Sequence, residues 1–324
     1  MAGQAVPLVR VVRSGLEEAV HLGDVAVVDA EGRLVAWAGD PDRAAFARSA
    51  MKPLQAAVSL SLAPFGFSDR EVAVMCGSHN GEPLHVEAVR SLLARAGVAE
   101  GALRCPPSRP LDPEAATAER APVLHNCSGK HAGMLAACRA QGWDEERYPE
   151  PDHPLQRRIL EAVREGTGLE EVALGVDGCG VPVHGGPLRA LARLFARLAV
   201  PEAWGPLEDS VRRAVEAMRA HPYLVAGRRR LDTAVMEAVP GAVVKGGAEG
   251  LVCAALLGPG LGVAVKVRDG ATRATGPALL RALRGLGVAG EEELARLGAF
   301  VAPPVLGGGR PVGQIEAIFT LSQP

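Results

Sequence analysis

The sequence predicts an α+β fold in which a mainly antiparallel sheet, built from both chain ends, carries a helical layer or lobe. Strand-like segments occur before residue 39 and after residue 240, and the stretch between them has mostly helical spacing. Gly and Pro, at 39 and 25 of 324 residues, are abundant without periodicity, which is typical of a globular enzyme with many loops. A chain of this length can bury a large core unaided, and no clear linker divides it. We therefore expect a single catalytic domain over residues 1–324, within which two lobes can form.

The predicted strands follow from β-branched runs bounded by turn residues. An Asp29-Ala-Glu-Gly32 turn predicts a hairpin within residues 25–38, and a buried strand is expected at 172–176. Further strands are expected at 7–12, 241–245, 250–257, 261–268 and 312–320.

Helical spacing begins at 43–63, where Pro53 predicts a start near Ser49 or a kink. Residues 103–122 are interpreted as a long surface loop, and Arg228–Arg230 as the solvated start of a helix. The remaining predicted helices are 69–75, 83–97, 128–141, 153–166, 187–199, 206–220, 229–238, 276–287 and 290–297.

Composition excludes several classes of function. A net charge of −2 and 3% aromatic residues argue against nucleic-acid binding. No apolar run approaches the ~20 residues of a membrane span. The first ten residues lack the build of a signal peptide, so a cytoplasmic location is expected, with the six cysteines present as thiols, ligands or core residues.

Lysine is scarce: it occurs four times among 35 basic residues, which leaves 31 arginines. Since arginine has replaced lysine wherever a generic positive charge suffices, the remaining lysines mark sites that arginine cannot fill. Lysine, unlike arginine, can lose its proton when buried and act as a base or a metal ligand. Those four positions are therefore candidates for chemistry: Lys52, Lys130, Lys245 and Lys266.

One serine–lysine pair and two further elements become candidates because lysine is so scarce. Ser49 and Lys52 have the S-x-x-K spacing in which a lysine can activate a serine nucleophile. The enzymes that use this pair also carry S-D-N and K-T-G elements. Here Ser78-His-Asn80 and Lys245-Gly-Gly247 follow in the same order, with His in place of Asp and Gly in place of Thr, which leaves S-x-N and K-x-G. The order predicts a serine-based acyl-transfer site. Glu249 is close enough to Lys245 to be a neighbour of that site.

A second cluster combines Cys127, Lys130 and His131 at the start of one predicted helix with Cys179 in a later loop. A thiol at a helix N-terminus has a lowered pKa, which favours metal binding. Three protein ligands with one open position are typical of catalytic zinc. Spacing alone favours Cys127, Cys179 and His131 as the ligands, with Lys130 as a neighbour; two buried thiols beside a capping loop are the alternative.

Together these elements resemble the Rhizobium-type (asparaginase II) L-asparaginase family. The resemblance lies in Ala47–Pro53, Met75–His79, Asn126–His131, Asp177–Cys179 and Lys245–Glu249, and it extends from about residue 8 to the C-terminus. It implies a fold similar to serine β-lactamases and glutaminases, hydrolysis of L-asparagine to L-aspartate and ammonia, and a homodimer.

The resemblance also implies roles for individual residues. It pairs Ser49 with Lys52 and Ser78 with Lys245, and it places zinc on Cys127, Lys130 and Cys179, which replaces His131 with Lys130 as the third ligand. The positions that it places around the substrate are Arg48, His131 and Asp177. Three alternatives remain open: a glutaminase, another amide or lactam hydrolase such as a penicilloyl-binding enzyme, and a zinc-stabilised binding protein without catalysis.

Overall fold

The computed structural model describes residues 4–324; residues 1–3 of the predicted domain lie outside them. The strands are β1 Val6–Arg13, β2 Leu16–Asp29, β3 Leu34–Ala38, β4 Ala44–Phe46, β5 Ala173–Val176, β6 Pro182–Pro187, β7 Ala242–Gly246, β8 Leu251–Leu256, β9 Leu261–Val267, β10 Pro304–Gly307 and β11 Arg310–Ala317. The α-helices are α1 Lys52–Leu62, α2 Asp69–Met75, α3 Pro83–Ala96, α4 Ser128–Gln141, α5 Pro154–Thr167, α6 Leu188–Ala199, α7 Glu208–Ala220, α8 Pro222–Val225, α9 Leu231–Ala238, α10 Thr275–Gly285, α11 Glu291–Arg296 and α12 Gly298–Val301.

The chain groups into two compact units, each assembled from separate segments. Unit 1 comprises Met1–Ala50, Gly186–Val200 and Ala234–Pro324, and unit 2 comprises Met51–Gly185 and Pro201–Thr233.

Unit 1 is built on an antiparallel sheet that joins the two chain ends. Among the described residues its strand order is β10-β11-β1-β2-β9-β8-β7, with β3 paired to β2. Val9 of β1 lies opposite Ala317 of β11, and Val25 of β2 lies opposite Val265 of β9. The central strands β8 and β9 are almost fully buried, and α6 packs on β2, β8 and β9. This confirms the predicted antiparallel sheet from both ends of the sequence.

Unit 2 is mainly helical. Helices α1, α2, α4 and α7 pack against one another, and α3 and α5 pack on this group. Helix α1 is buried on every side rather than along one apolar stripe, since the nine consecutive residues from Lys52 to Leu60 are all buried. Strands β5 and β6 form a short antiparallel hairpin, in which Ala173 lies opposite Gly185. The predicted helical layer is confirmed.

Two local predictions are wrong. The helical spacing expected from residue 43 is wrong for residues 43–47, where β4 lies. The start near Ser49 that Pro53 predicts is correct, because a 3₁₀ turn at Arg48–Met51 leads directly into α1. The strand expected to be buried at 172–176 is largely exposed, with Val176 76% accessible. Its β-branched residues favoured a strand, but this preference does not determine burial. None of the helices within residues 4–324 is long and apolar enough to span a membrane.

Candidate active site

Ser49 lies on the 3₁₀ turn Arg48–Met51, immediately before α1. The φ angle of Arg48 is 47°, in the left-handed region that residues with a side chain rarely adopt. Backbone strain of this kind is common at active sites, where it fixes the direction of a reactive side chain. Arg48 and Ser49 are both half-buried.

The turn after β7 shows why the third residue of Lys245-Gly-Gly247 is a glycine. Lys245 is completely buried on β7, and its Nζ donates a hydrogen bond to the Gly246 carbonyl at 2.8 Å. A Cβ on Gly247 would lie 3.0 Å from the carbonyl oxygen of Ala47, so a glycine is needed for this close backbone approach. The approach places the end of β7 beside the segment that leads into Ser49. Glu249 follows on the same turn and is exposed.

In unit 2, Lys52 is hydrogen-bonded to Ser78. Lys52 is the first residue of α1 and is only 1% exposed. Its Nζ donates to Ser78 Oγ at 2.8 Å and to the carbonyls of Gly77 and Asn126 at 2.7 and 3.3 Å. The two carbonyls fix the position of the Lys52 side chain, and the contact with Ser78 Oγ places Nζ directly at a serine hydroxyl.

The loop that carries Ser78 is held by its own side chains. His79 Nε2 lies 2.9 Å from Ser128 Oγ, and its Nδ1 accepts from the Gly81 amide at 3.1 Å. Burial, together with the nearby cations, holds the pKa of His79 well below its usual range, so the ring is neutral. His79 therefore acts as an uncharged brace for the loop rather than as an acid or base.

A charged network anchors the other end of this loop. Glu82 is 3% exposed and accepts hydrogen bonds from Asn80, Tyr223 and Arg228. Arg228 also pairs with Asp112 at 3.0 Å, and Arg230 donates to Asn80 Oδ1 at 2.9 Å. Arg228–Arg230 do precede a helix, as predicted, and Arg229 is 72% exposed. Arg228 and Arg230, however, are held by side chains distant in sequence rather than by solvent alone.

Cys127 is the N-cap residue of α4 and is 4% exposed. Helix α4 approaches α2 so closely that a Cβ on Gly129 would lie 2.2 Å from the Val74 carbonyl oxygen. Only glycine permits this contact, which places Cys127 and Lys130 beside the residues that lead into Ser78. Gly129 of the Asn-Cys-Ser-Gly-Lys-His element is therefore required for the close packing of α4 against α2.

The two thiols interact with each other and with two cations. Lys130 Nζ lies 2.9 Å from Cys179 Sγ. The Cys179 thiol, with help from Lys52 and Lys130, holds the pKa of Cys127 well below its usual range despite burial. The same hydrogen bond and burial raise the pKa of Cys179. The lowered pKa favours the thiolate form of Cys127, and the raised pKa favours the thiol form of Cys179.

The donors in this cluster suit a zinc ion. Two cysteine thiols lie together with Lys130, and thiolates are preferred zinc ligands. Cys179 and Cys127 raise the pKa of Lys130 despite its burial, so Lys130 must lose its proton before it can bind a metal. Within residues 4–324 no three His, Cys, Asp or Glu side chains form a metal-binding group, and the set here joins two cysteines with a lysine. Asp177 Oδ2 lies 3.7 Å from Cys179 Sγ, on the turn between β5 and β6.

Two buried supports are absent from the sequence predictions. Tyr148 is completely buried and its hydroxyl lies 2.5 Å from His131 Nδ1; Glu82 anchors the Ser78 loop. The sequence has only two tyrosines, Tyr148 and Tyr223, and each contacts one part of this region. The scarcity argument used for lysine would therefore have singled out Tyr148 and Tyr223, but not Glu82.

Unit 2 thus brings together seven of the predicted side chains: Lys52, Ser78, Cys127, Lys130, His131, Asp177 and Cys179. Unit 1 carries the other four: Arg48, Ser49, Lys245 and Glu249. Buried lysine amines next to serine hydroxyls can take up and return protons during acyl transfer.

The model of the L-asparaginase II family matches residues 9–317. None of the curated proteins matches this sequence. Solved structures similar to this chain include the native form of a protein named Mglu (19% identity, TM-score 0.47, covering 82% of this chain and 60% of that one). Another is a β-lactamase from Mycobacterium bovis (18% identity, TM-score 0.44, covering 82% of this chain and 95% of that one). A third is a probable glutaminase from Bacillus subtilis complexed with 6-diazo-5-oxo-L-norleucine (12% identity, TM-score 0.37, covering 82% of this chain and 84% of that one). The chain spans about 60% of the length of Mglu.

Proposed function

The chain belongs to the L-asparaginase II family, and we propose that it hydrolyses L-asparagine to L-aspartate and ammonia. Family membership supports an amidohydrolase. The observation that carries the proposal is the hydrogen bond of 2.8 Å from buried Lys52 to Ser78, because it joins a member of each predicted serine–lysine pair. The same lysine contributes to the lowered pKa of Cys127, so this link lies beside the thiol pair.

The proposed reaction is acyl transfer through an ester. Ser49 Oγ attacks the side-chain amide carbonyl of the substrate while Lys52 accepts the hydroxyl proton. Ser78, polarised by Lys245, passes a proton to the departing ammonia and is reprotonated by Lys52, to which it is hydrogen-bonded. Water then attacks the ester while Lys52 accepts its proton. L-aspartate leaves as Lys52 returns that proton to Ser49. Backbone amides near the Arg48–Met51 turn stabilise the oxyanion, a contribution typically worth ~10²–10³ in rate.

The substrate's charged groups are assigned to residues around this centre. Arg48 pairs with the α-carboxylate and Asp177 with the α-ammonium, with Glu249 as a further contact. His131 is completely buried, so its effect on the substrate passes through its neighbours.

We propose that Cys127, Lys130 and Cys179 hold one zinc ion, since two interacting thiols beside a lysine provide three donors once they have lost their protons. Zinc, when bound, supplies positive charge that orients the polar groups of the substrate. Lys52 and Ser78 perform proton transfer beside this site. We also propose that the enzyme is a homodimer in the cytoplasm; sedimentation of the purified protein tests the dimer.

Covalent labelling tests the nucleophile and the substrate together. Diazo-ketone analogues of L-asparagine and of the longer L-glutamine should both reach the site, and we expect the shorter one to label Ser49 faster. One methylene is worth roughly 1–3 kcal/mol of discrimination. Faster labelling by the longer analogue would make the protein a glutaminase, and labelling of another residue would refute the role of Ser49. Turnover of a chromogenic β-lactam instead would favour a lactam hydrolase.

A further inference from the structure

A chain of hydrogen bonds joins the loop that carries Ser78 to the first turn of α4. The Gly81 amide donates to His79 Nδ1 at 3.1 Å, and His79 Nε2 lies 2.9 Å from Ser128 Oγ. Ser128 is the first residue of α4, and its hydroxyl donates to the Val123 carbonyl at 2.8 Å. His79 and Ser128 are completely buried. The four groups therefore satisfy one another's hydrogen bonds.

The two ends of this chain fix the position of every proton within it. A backbone amide only donates, and a backbone carbonyl only accepts. Because the single Ser128 proton goes to the Val123 carbonyl, Ser128 Oγ is the acceptor for a proton on His79 Nε2. His79 Nδ1 must keep its lone pair to accept from the Gly81 amide. The contacts alone therefore require a neutral His79 ring with its proton on Nε2.

The His79 contact lies next to the contact between Lys52 and Ser78. Ser78 directly precedes His79, and its Oγ lies 2.8 Å from Lys52 Nζ. Lys52 also donates to the carbonyl of Asn126, two residues before Ser128. The segment that enters α4 thus holds the lysine through a carbonyl and the serine loop through a hydroxyl. Loss of the His79–Ser128 contact would free one of these two groups from their shared support.

The backbone of the same loop is supported on its other side. The amides of Ser78 and Asn80 donate to the carbonyls of Val225 and Ala226 at 2.7 and 2.8 Å. These bonds hold the main chain, whereas the His79 side chain joins the loop to α4. We therefore expect removal of the His79 donor to shift Ser78 Oγ without unfolding the loop.

We propose that His79 is a positioning residue for proton transfer to the departing ammonia: its Nε2–H donates to Ser128 and thereby holds Ser78 Oγ at Lys52. The inference rests on the proposed amide hydrolysis, in which Ser78 protonates the leaving group and is reprotonated by Lys52. His79 itself exchanges no proton in this sequence. Its effect is therefore restricted to substrates whose leaving group must be protonated.

The state of the ring is measured first, on the wild-type protein without substrate. Long-range ¹H–¹⁵N correlation spectra distinguish a charged histidine from its two neutral forms, and we expect a neutral His79 with Nε2–H. A charged ring or an Nδ1–H ring would overturn the proposal. This measurement needs no turnover, so its result is independent of the proposed activity.

Two variants then separate the two nitrogens of the ring. His79→Gln supplies an amide N–H close to the position of Nε2–H, whereas His79→Asn supplies an acceptor close to Nδ1 and leaves Ser128 without its donor. Each is assayed with L-asparagine and with the β-4-nitrophenyl ester of L-aspartate, whose leaving group departs as an anion. The ratio of kcat/KM for the amide to that for the ester does not depend on the fraction of folded protein.

We expect His79→Asn to lower this ratio by about 10²-fold, since a misplacement of about 1 Å can cost that much in rate. The ester reaction should slow by less than about 3-fold, because it needs no general acid. His79→Gln should lower the ratio less than His79→Asn does. His153→Asn is the matched control and should leave the ratio unchanged, since buried His153 also accepts an amide hydrogen bond at Nδ1 but is the N-cap of α5.

Ser78→Ala removes the hydroxyl that His79 is proposed to position. In that background His79→Asn should change the ratio by less than about 2-fold, because residues that act through one group are not additive. The role of His79 is refuted by an unchanged ratio in His79→Asn, by an additive loss in the double variant, or by a larger loss in His79→Gln than in His79→Asn.

Failure of the proposed function gives a different result. A wild-type protein that prefers L-glutamine changes the substrate alone, and the ratio is then measured with L-glutamine and the corresponding ester of L-glutamate. A wild-type protein that releases ammonia from neither amide contradicts the proposed amide hydrolysis, and the role of His79 fails with it.

Discussion

Unit 2 contains two buried polar regions that differ in how their charges are satisfied. In the network around Glu82, the carboxylate meets Arg228, Tyr223 and Asn80, so its charge is fixed by permanent partners. In the thiol cluster, two lysines interact with two cysteines that also interact with each other. Charge there depends on groups that can exchange protons. We therefore propose that the first arrangement stabilises the fold and that the second belongs to the reactive site.

The two regions are connected by one short loop. Ser78 lies at the start of the loop and contacts Lys52, whereas Glu82 lies at its end. The comparison therefore predicts that substitutions in the thiol and lysine cluster change turnover or metal binding, and that substitutions in the Glu82 network change stability first.

The largest effect is expected for Ser49→Ala, which removes the proposed nucleophile. Turnover of L-asparagine should fall by at least about 10³-fold, because residues that act together in acyl transfer lose most of the rate when one is removed. Steady-state ammonia release measures this. Ser59→Ala is the matched control, since Ser59 is a buried serine on the helix that begins at Lys52 and donates to the Gln55 carbonyl within α1. Equal losses in the two variants would contradict the assignment.

Lys52→Arg tests whether the amine acts as a base. Arginine keeps the positive charge but cannot release its proton, so we expect a loss of about 10²–10⁴-fold in kcat. The folded state is checked by circular dichroism and thermal unfolding. A variant that folds normally and retains more than a tenth of the wild-type kcat would show that Lys52 only supplies charge.

Cys127→Ala tests the thiol cluster. Zinc affinity should fall by more than about 100-fold, since loss of a partner of a ligand already costs 10–100-fold. Cys138→Ala is the control on the same helix: burial raises the pKa of Cys138 to about 12, so it stays a thiol, and zinc binding should not change. Competition with a chelating dye measures both. Equal affinity in the two variants would remove Cys127 from the site.

A smaller effect is expected for Glu82→Gln, measured by urea unfolding. Burial disfavours the charge of Glu82, but Tyr223 and Arg228 hold its pKa below its usual range. A lowered folded pKa stabilises the protein above the unfolded pKa of about 4.3, and this stability is lost as pH falls through the folded value. At pH 7 the variant should be less stable by about 1–3 kcal/mol, and the difference should shrink below about pH 4.

Glu316→Gln is the same substitution as Glu82→Gln at a carboxylate on the surface. Arg10 lowers the pKa of Glu316 as well, but the pair is partly exposed, so the loss should be below about 1 kcal/mol. A larger loss from Glu316→Gln than from Glu82→Gln would contradict the distinction between the two kinds of charge.

The sequence predicted the sheet from both chain ends and nearly every helix, because these depend on local spacing. The start of α4 could be placed from Cys127 and Gly129, and the lysines were found because so few remain. The anchoring of Arg228 could not be predicted, since its partners Glu82 and Asp112 are more than a hundred residues away in sequence. The exposure of Val176 was missed for a related reason: composition favours a strand but does not say which face is covered.

The most direct test of the account is ammonia release from L-asparagine and from L-glutamine by the purified protein, with Ser49→Ala in parallel. The account predicts release that is faster from L-asparagine and that depends on Ser49. Release that is equal in Ser49→Ala, or no release from L-asparagine, would contradict it.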